Sequence, residues 1–287
     1  QQDTPPNFPY GLSELTVTAL YEDIDTLLWI GTDGGGLNAY NQHTGLFQHL
    51  STTNGKKVVS ITEFSPEKLL ISCFNDGLYI FDKRTAKLTS FLLIDNHTTR
   101  KEFTQGDLIN LYATSDEIYI FGSNIYVYNR HTQHTKQLPI PSHLDRESFI
   151  HAQPIHADNQ YIYILSYKSL LQIEKTSKNI AQLFGVSDDE FLSSACIDNQ
   201  GKFWIGSNYA LYHYNAASQQ AEKIQNVLFH NIQSLTSDDK NRIWIGANNQ
   251  LLVYLRNEDR IVMLDKTDGI KPNGYIFTPI PLSPSKN

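Results

Sequence analysis

Leu28-Trp29-Ile30-Gly31-Thr32 returns as Phe203-Trp204-Ile205-Gly206-Ser207 and again as Ile243-Trp244-Ile245-Gly246-Ala247. Each copy has an Asp six residues before its Trp: Asp23, Asp198 and Asp238. Each is followed by a second aromatic phrase, Leu37-Asn38-Ala39-Tyr40, Leu211-Tyr212-His213-Tyr214 and Leu251-Leu252-Val253-Tyr254. Three weaker copies fill the middle of the chain, at Leu69-Leu70-Ile71-Ser72, Ile118-Tyr119-Ile120-Phe121 and Tyr161-Ile162-Tyr163-Ile164. The equivalent positions are 29, 70, 119, 163, 204 and 244, so the period runs from 40 to 49 residues. That is the length of a four-stranded propeller blade, with loop insertions accounting for the spread.

Within a repeat the pattern parses into four short strands. In the first they are Val17 to Tyr21, Leu27 to Gly31, Leu37 to Tyr40 and Phe47 to Leu50, separated by Asp23 to Thr26, Asp33 to Gly36 and Asn41 to Gly45. Gly, Asn and Asp at those breaks are turn formers. The fold class is therefore all-β, a β-propeller of four-stranded antiparallel blades in a single domain spanning 1–287. Six repeats are recognisable. Tyr275 to Ile280 reads as the first strand of another, so the count is six blades, or seven if the termini complete one.

The repeated residues suit a blade packed on both faces. A large Trp or Tyr fills the wedge between neighbouring blades. The Gly after Trp-Ile allows close approach of a neighbouring strand. The Asp accepts backbone N–H bonds in the turn before the second strand.

Composition narrows the function. Of 287 residues 40% are hydrophobic and 18% charged, with 16 Tyr and 14 Phe, which fits a folded, strand-rich chain. The net charge is −7 and the pI about 5.8, with no basic run. Neither nucleic acid nor an anionic membrane surface is an expected partner, since both need clustered positive charge. Two cysteines, Cys73 and Cys196, read as buried free thiols rather than a disulfide framework. The first residue is Gln1, so an upstream segment is expected to have been removed.

Asp23 to Asn41, with Thr44-Gly45-Leu46-Phe47, resembles the two-component regulator propeller repeat. The resemblance runs from about Gly11 to Tyr254 and is strongest in repeats one, five and six. It implies a periplasmic sensor region, the ectodomain of an inner-membrane hybrid two-component receptor of Bacteroides-type bacteria. Such sensors detect carbohydrate released from glycans and relay to a kinase, here outside this chain. The resemblance favours seven blades. Expected partners are an oligosaccharide and other domains of the same receptor; a homodimerisation platform without a small ligand is the alternative.

No cofactor or catalytic group is expected. The pair His131-x-x-His134 lacks the third and fourth ligands a metal needs. His151 and His156 lie on a first-strand segment broken by Pro154 and read as satisfied or solvated. Asp33-Gly34-Gly35-Gly36 joins two strands, whereas a phosphate loop opens a helix. A sialidase-like or lyase reading requires converging arginines or acid/base pairs, which the scattered Arg positions do not offer. Ligands of propellers commonly sit over loops that enter the first strand or join the second and third. Here the first kind includes Asn96 to Gln105 and Ser187 to Glu190. The candidates for hydroxyl-rich ligands are Asn75, Asp76, Tyr167, Lys168, Asn208, Tyr209, Asn248 and Asn249.

Overall fold

The computed structural model describes residues 11–95, 99–101, 109–144, 149, 152–224, 228–248 and 250–269. The proposed seventh-blade strand at 275–280 lies outside them, as does Asn249. The chain divides into two compact units, one drawn from Gln1–His151 and one from Ala152–Pro279. Each unit holds three blades.

In the first unit, β1 (Val17–Glu22), β2 (Leu27–Thr32), β3 (Gly36–Asn41) and β4 (Leu46–Leu50) make the first sheet. The second is β5 (Val58–Ser65), β6 (Lys68–Cys73), β7 (Gly77–Asp82) and β8 (Leu88–Ser90). Between β8 and the third blade the chain inserts a short hairpin, β9 (Leu93–Asp95) and β10 (Thr99–Lys101). β11 (Asn110–Ala113), β12 (Glu117–Phe121), β13 (Ile125–Asn129) and β14 (Thr135–Leu138) follow as an antiparallel meander. β9 then pairs parallel to β14, so this blade has six strands. The hairpin explains the longest repeat spacing. It also corrects the reading of Asn96 to Gln105 as an entry loop, because β10 lies within that stretch.

Among its described residues the second unit repeats the scheme without an insertion. Its sheets are β15 (Gln153–Ala157) to β18 (Ile180–Gly185), with β16 (Tyr161–Leu165) and β17 (Ser169–Glu174) between them; β19 (Leu192–Ile197), β20 (Phe203–Ser207), β21 (Leu211–Asn215) and β22 (Gln220–Ile224); and β23 (Ile232–Ser237), β24 (Ile243–Ala247), β25 (Gln250–Leu255) and β26 (Arg260–Leu264). The fold is a β-propeller, with six blades among the described residues.

The first strand of every blade but the third carries a register shift near its start, at 17/19, 58/60, 154/156, 192/194 and 232/234. Bulges bend a strand and re-aim a side chain. Two of the bulged residues use that freedom to reach the next blade. The Thr18 hydroxyl donates to the carbonyl of Val58, and Ser193 donates to that of Ile232. Alongside, the backbone N–H of Leu111 donates to Ser60 Oγ at 3.0 Å and that of Leu235 to Ser194 Oγ at 2.9 Å.

The motif residues make the blade contacts expected of them. Trp29 packs edge-on against Phe81 of the second blade at 5.7 Å, and Trp204 against Tyr254 of the sixth at 5.8 Å. A Cβ on Gly31 would come within 2.8 Å of the Val58 carbonyl, and one on Gly206 within 2.3 Å of Ile232 Cγ2. Those glycines are small because the next blade's first strand occupies the space.

The Asp of each motif does more than cap a turn. Asp23 Oδ1 accepts from the N–H groups of Asp25 and Leu27, while Oδ2 accepts from Trp29 Nε1 at 2.8 Å. Asp198 repeats this with Gln200, Lys202 and Trp204, and Asp238 with Lys240, Arg242 and Trp244. A cation completes each site. Lys83, just past β7, lies 3.2 Å from Asp23; Arg256, just past β25, lies 2.6 Å from Asp198. Both come from the following blade. Asp238 pairs instead within its own blade, with Arg242 at 2.6 Å. Arg130, just past β13, reaches the preceding blade as well, donating to the Glu63 and Phe64 carbonyls.

Candidate functional site

The loops between second and third strands, with those leading into the next blade, form one loop end in each unit. In the first unit this end is charged. Asp76 accepts from Lys56 and from the Tyr79 hydroxyl, 2.8 Å away, and the Lys56 ammonium also stands 4.2 Å over the Tyr79 ring. The hydrogen bond from Lys56 holds the Asp76 carboxyl below the usual carboxylate range. Lys57 pairs with Asp33 at 2.8 Å and lies 5.5 Å from the exposed Phe74 ring. Asn75 sits exposed at the tip of this turn with φ of 58°, a left-handed conformation that Asn tolerates better than most residues. Asn75 and Asp76 are thus neighbours in one loop whose aromatic rings carry lysine ammoniums.

The second unit differs. Tyr167, Phe191 and Tyr209 are each roughly two-fifths exposed, at 38%, 42% and 46%. Tyr167 meets Phe191 edge-on with centroids 6.1 Å apart. The Phe191 N–H donates to Asn208 Oδ1 at 2.9 Å and the Asn208 N–H returns to the Phe191 carbonyl at 3.1 Å. That exchange fixes Phe191 beside the turn that carries Tyr209. The Leu192 N–H donates to the Tyr167 carbonyl at 2.7 Å, joining the fourth blade's turn to the same segment.

Two side chains hold the segment from below. The Lys168 ammonium donates to the carbonyls of Ser187, Asp188 and Glu190 at 3.2, 2.8 and 2.6 Å. An ammonium has three N–H donors, and three acceptors surround this one. Glu190 is buried, 5% exposed, and its carboxylate accepts from Ser207 and, at 2.8 Å on each oxygen, from Tyr212. Burial, then the hydrogen bond to Glu190, pushes the Tyr212 hydroxyl well above the ordinary phenol range. Asn248 occupies the equivalent turn of the sixth blade, exposed and left-handed at φ 50°.

The remaining polar candidates have local partners. His131 lies exposed, 3.0 Å from Asp116. His156 stacks on Tyr163 at 5.9 Å, and burial lowers its basicity. Among the described residues no three His, Cys, Asp or Glu side chains gather as metal ligands. Both cysteines are free; Cys73 is buried and Cys196 half-buried, where two buried thiols were expected, and burial pushes each thiol up to about 12.

The family model described as two component regulator propeller matches residues 11–34, the stretch holding Asp23, Trp29 and Gly31. That stretch carries the two-component regulator propeller repeat. Histidine kinase P4 of Formosa agariphila is 24% identical over 286 residues, covering 92% of this chain and 21% of that protein. The chain therefore spans about one fifth of the length of that relative. The extracellular domain of a hybrid two-component system from B. thetaiotaomicron superposes with a TM-score of 0.70 at 16% identity, over 93% of this chain and 34% of that one. Virginiamycin B lyase from Staphylococcus aureus gives 0.62 at 10% identity, over 86% and 83%. Both structural likenesses speak to the propeller fold.

Sequence reasoning placed Lys56, Lys57 and Glu190 within entry loops without singling them out, and it passed over Phe191. A search for polar turn tips passes over an aromatic just ahead of a strand. Phe191 directly precedes β19, and that position was its available signal.

Proposed function

We propose that this chain is a non-catalytic sensor propeller in the periplasmic part of a hybrid two-component receptor, binding a glycan-derived oligosaccharide and relaying to a kinase beyond it. One observation carries the reading: the regulator-propeller repeat, in a chain whose curated histidine-kinase relative aligns over 92% of it. The exposed aromatic loop end of the second unit supports a binding role, since sugar-sized ligands need an apolar platform with a few placed polar groups. Contact with other domains of the receptor belongs to the same reading. Against catalysis, the most buried carboxylate of that end, Glu190, is bound to Ser207 and Tyr212, an arrangement that holds a loop in place.

The test is thermal unfolding of this chain across an oligosaccharide panel. A native-state ligand must raise Tm in a concentration-dependent way. A rise for at least one oligosaccharide, with no cleavage of it by chromatography, is expected. Turnover overturns the non-catalytic reading. A flat panel together with a dimer in sedimentation favours a dimerisation platform instead.

A further inference from the structure

In each blade one residue of the third strand stands directly opposite the motif position of the second. Trp29, Leu70, Tyr119, Tyr163 and Trp244 face Ala39, Ile80, Val127, Gln172 and Val253 in this way, and Trp204 faces His213. Of the six partners only His213 can take a proton near neutral pH. Directly opposed residues of an antiparallel pair share one face of the sheet. His213 therefore lies on the side of Trp204, which meets the Tyr254 ring and the Arg256 guanidinium of the sixth blade. The imidazole and indole rings stack, with centroids 4.4 Å apart and planes 22° from parallel. His213 Nε2 is buried there without a hydrogen-bond partner.

A neutral ring suits this place and a charged one does not. An indole face attracts a cation, but the Arg256 guanidinium already stands 4.9 Å from the Trp204 ring centre. Protonation makes both imidazole nitrogens donors. Nε2 then carries an N–H that nothing receives, and an unpaired buried polar group is costly. The other titratable groups around the ring are Lys202 and Asp198 at the turn before β20, Cys196 on β19, Glu222 opposite on β22, and Arg256 and Tyr254 from the sixth blade. Burial first, then Arg256 and Lys202, lowers the basicity of His213. Asp198 and Glu222 oppose them, but Asp198 is bound to Trp204 and Arg256, and Glu222 is exposed to solvent. We propose that His213 is a proton-sensitive latch between the fifth and sixth blades: neutral imidazole packs on Trp204 and lets the junction close, and imidazolium loosens it. The unfolded ring takes its proton near pH 6.5 and the folded ring only at lower pH, so the folded state binds fewer protons. The junction thus loses stability as pH falls below about 6.5.

The chain contains an internal comparison for the test. Trp29 donates its Nε1–H to Asp23 at 2.8 Å as Trp204 does to Asp198 at 3.0 Å, but Trp29 faces Ala39 in place of a histidine. Solvent exchange of the two indole N–H groups in the whole chain, followed by NMR from about pH 7.5 to about pH 5.5, is the measurement. Trp204 is expected to lose protection relative to Trp29 by roughly threefold or more over that range. His213→Val, which copies Val253 of the sixth blade, should hold the ratio constant. His213→Gln, which copies Gln172 of the fourth, carries the same expectation if valine does not pack. The ring signal that these variants lack should titrate in the parent below about pH 6.5. A constant ratio in the parent overturns the proposal. So does a ratio that falls equally in the variants, or a His213 midpoint at or above about 6.5.

Discussion

The smallest unit that explains this fold is a single carboxylate. Asp198 closes its turn with one oxygen and, with the other, meets Trp204 of its own blade and Arg256 of the next. Its side chain is fully buried and Arg256 is 14% exposed. Removing one member of a buried pair strands the other, which costs more than the pair itself contributes. Asp198→Ala should therefore destabilise by about 3 kcal/mol in urea unfolding. Asp238→Ala should cost less, about 1 kcal/mol, because its pair with Arg242 is part-exposed at 20% and 35%. The same carboxylates set the acid limb of stability. Burial raises both, but hydrogen bonds and the nearby guanidinium outweigh it, leaving Asp198 below the ordinary value and Asp238 at about 2. A group depressed in the folded state stabilises above its unfolded value, near 3.9, and loses that contribution as pH falls toward the folded one. Stability should drop between about pH 4 and pH 2, and Asp238→Asn should flatten that drop in acid titrations followed by fluorescence. The Trp–Asp bond was present in the sequence as a thrice-repeated spacing of six. Its chemistry was hidden because the two residues stand on opposite sides of a turn, where strand periodicity says nothing.

At the level of strands, what was legible is what local chemistry decides. The first repeat's predicted strands coincide with β1 to β4 to within about a residue at each end, because Asp, Gly and Asn punctuate apolar runs there. The β9–β10 hairpin was not legible. Three-residue strands show no alternation, and pairing parallel to β14 is a long-range choice that only the finished sheet rewards. Lys83 and Arg256 were unreadable for the same reason, since each meets an Asp about sixty residues away. Gly206 is the opposite case, where an expected close approach became a measurable gap. Gly206→Ala would drive a methyl into Ile232, and overpacking of this kind costs roughly 1–3 kcal/mol. A lowered urea midpoint with unchanged far-ultraviolet dichroism would show it. An unchanged midpoint would mean that β23 can move aside.

Across the whole molecule, each compact unit carries one cysteine, Cys73 in the first and Cys196 in the second. The thiolate is the reactive form, and burial keeps both thiols protonated near neutral pH. Neither should react with an aromatic disulfide reagent in native buffer over minutes. Cys196→Ser and Cys73→Ser then yield two chains whose labelling in rising urea reports the opening of one unit each. Rapid native labelling of Cys196 would show that its residual surface admits reagent.

The partnership of Asp23 with Lys83, and of Asp198 with Arg256, has a consequence for how such a protein is copied and cut. At two junctions the recurring stretch is tied by an ion pair to the blade that follows it. A single blade excised from its neighbour would leave with a carboxylate whose counter-ion stayed behind. Gene duplication that inserted one repeat out of step would separate donor from acceptor in the same manner. At these two junctions recombination should be tolerated best where it moves both blades together.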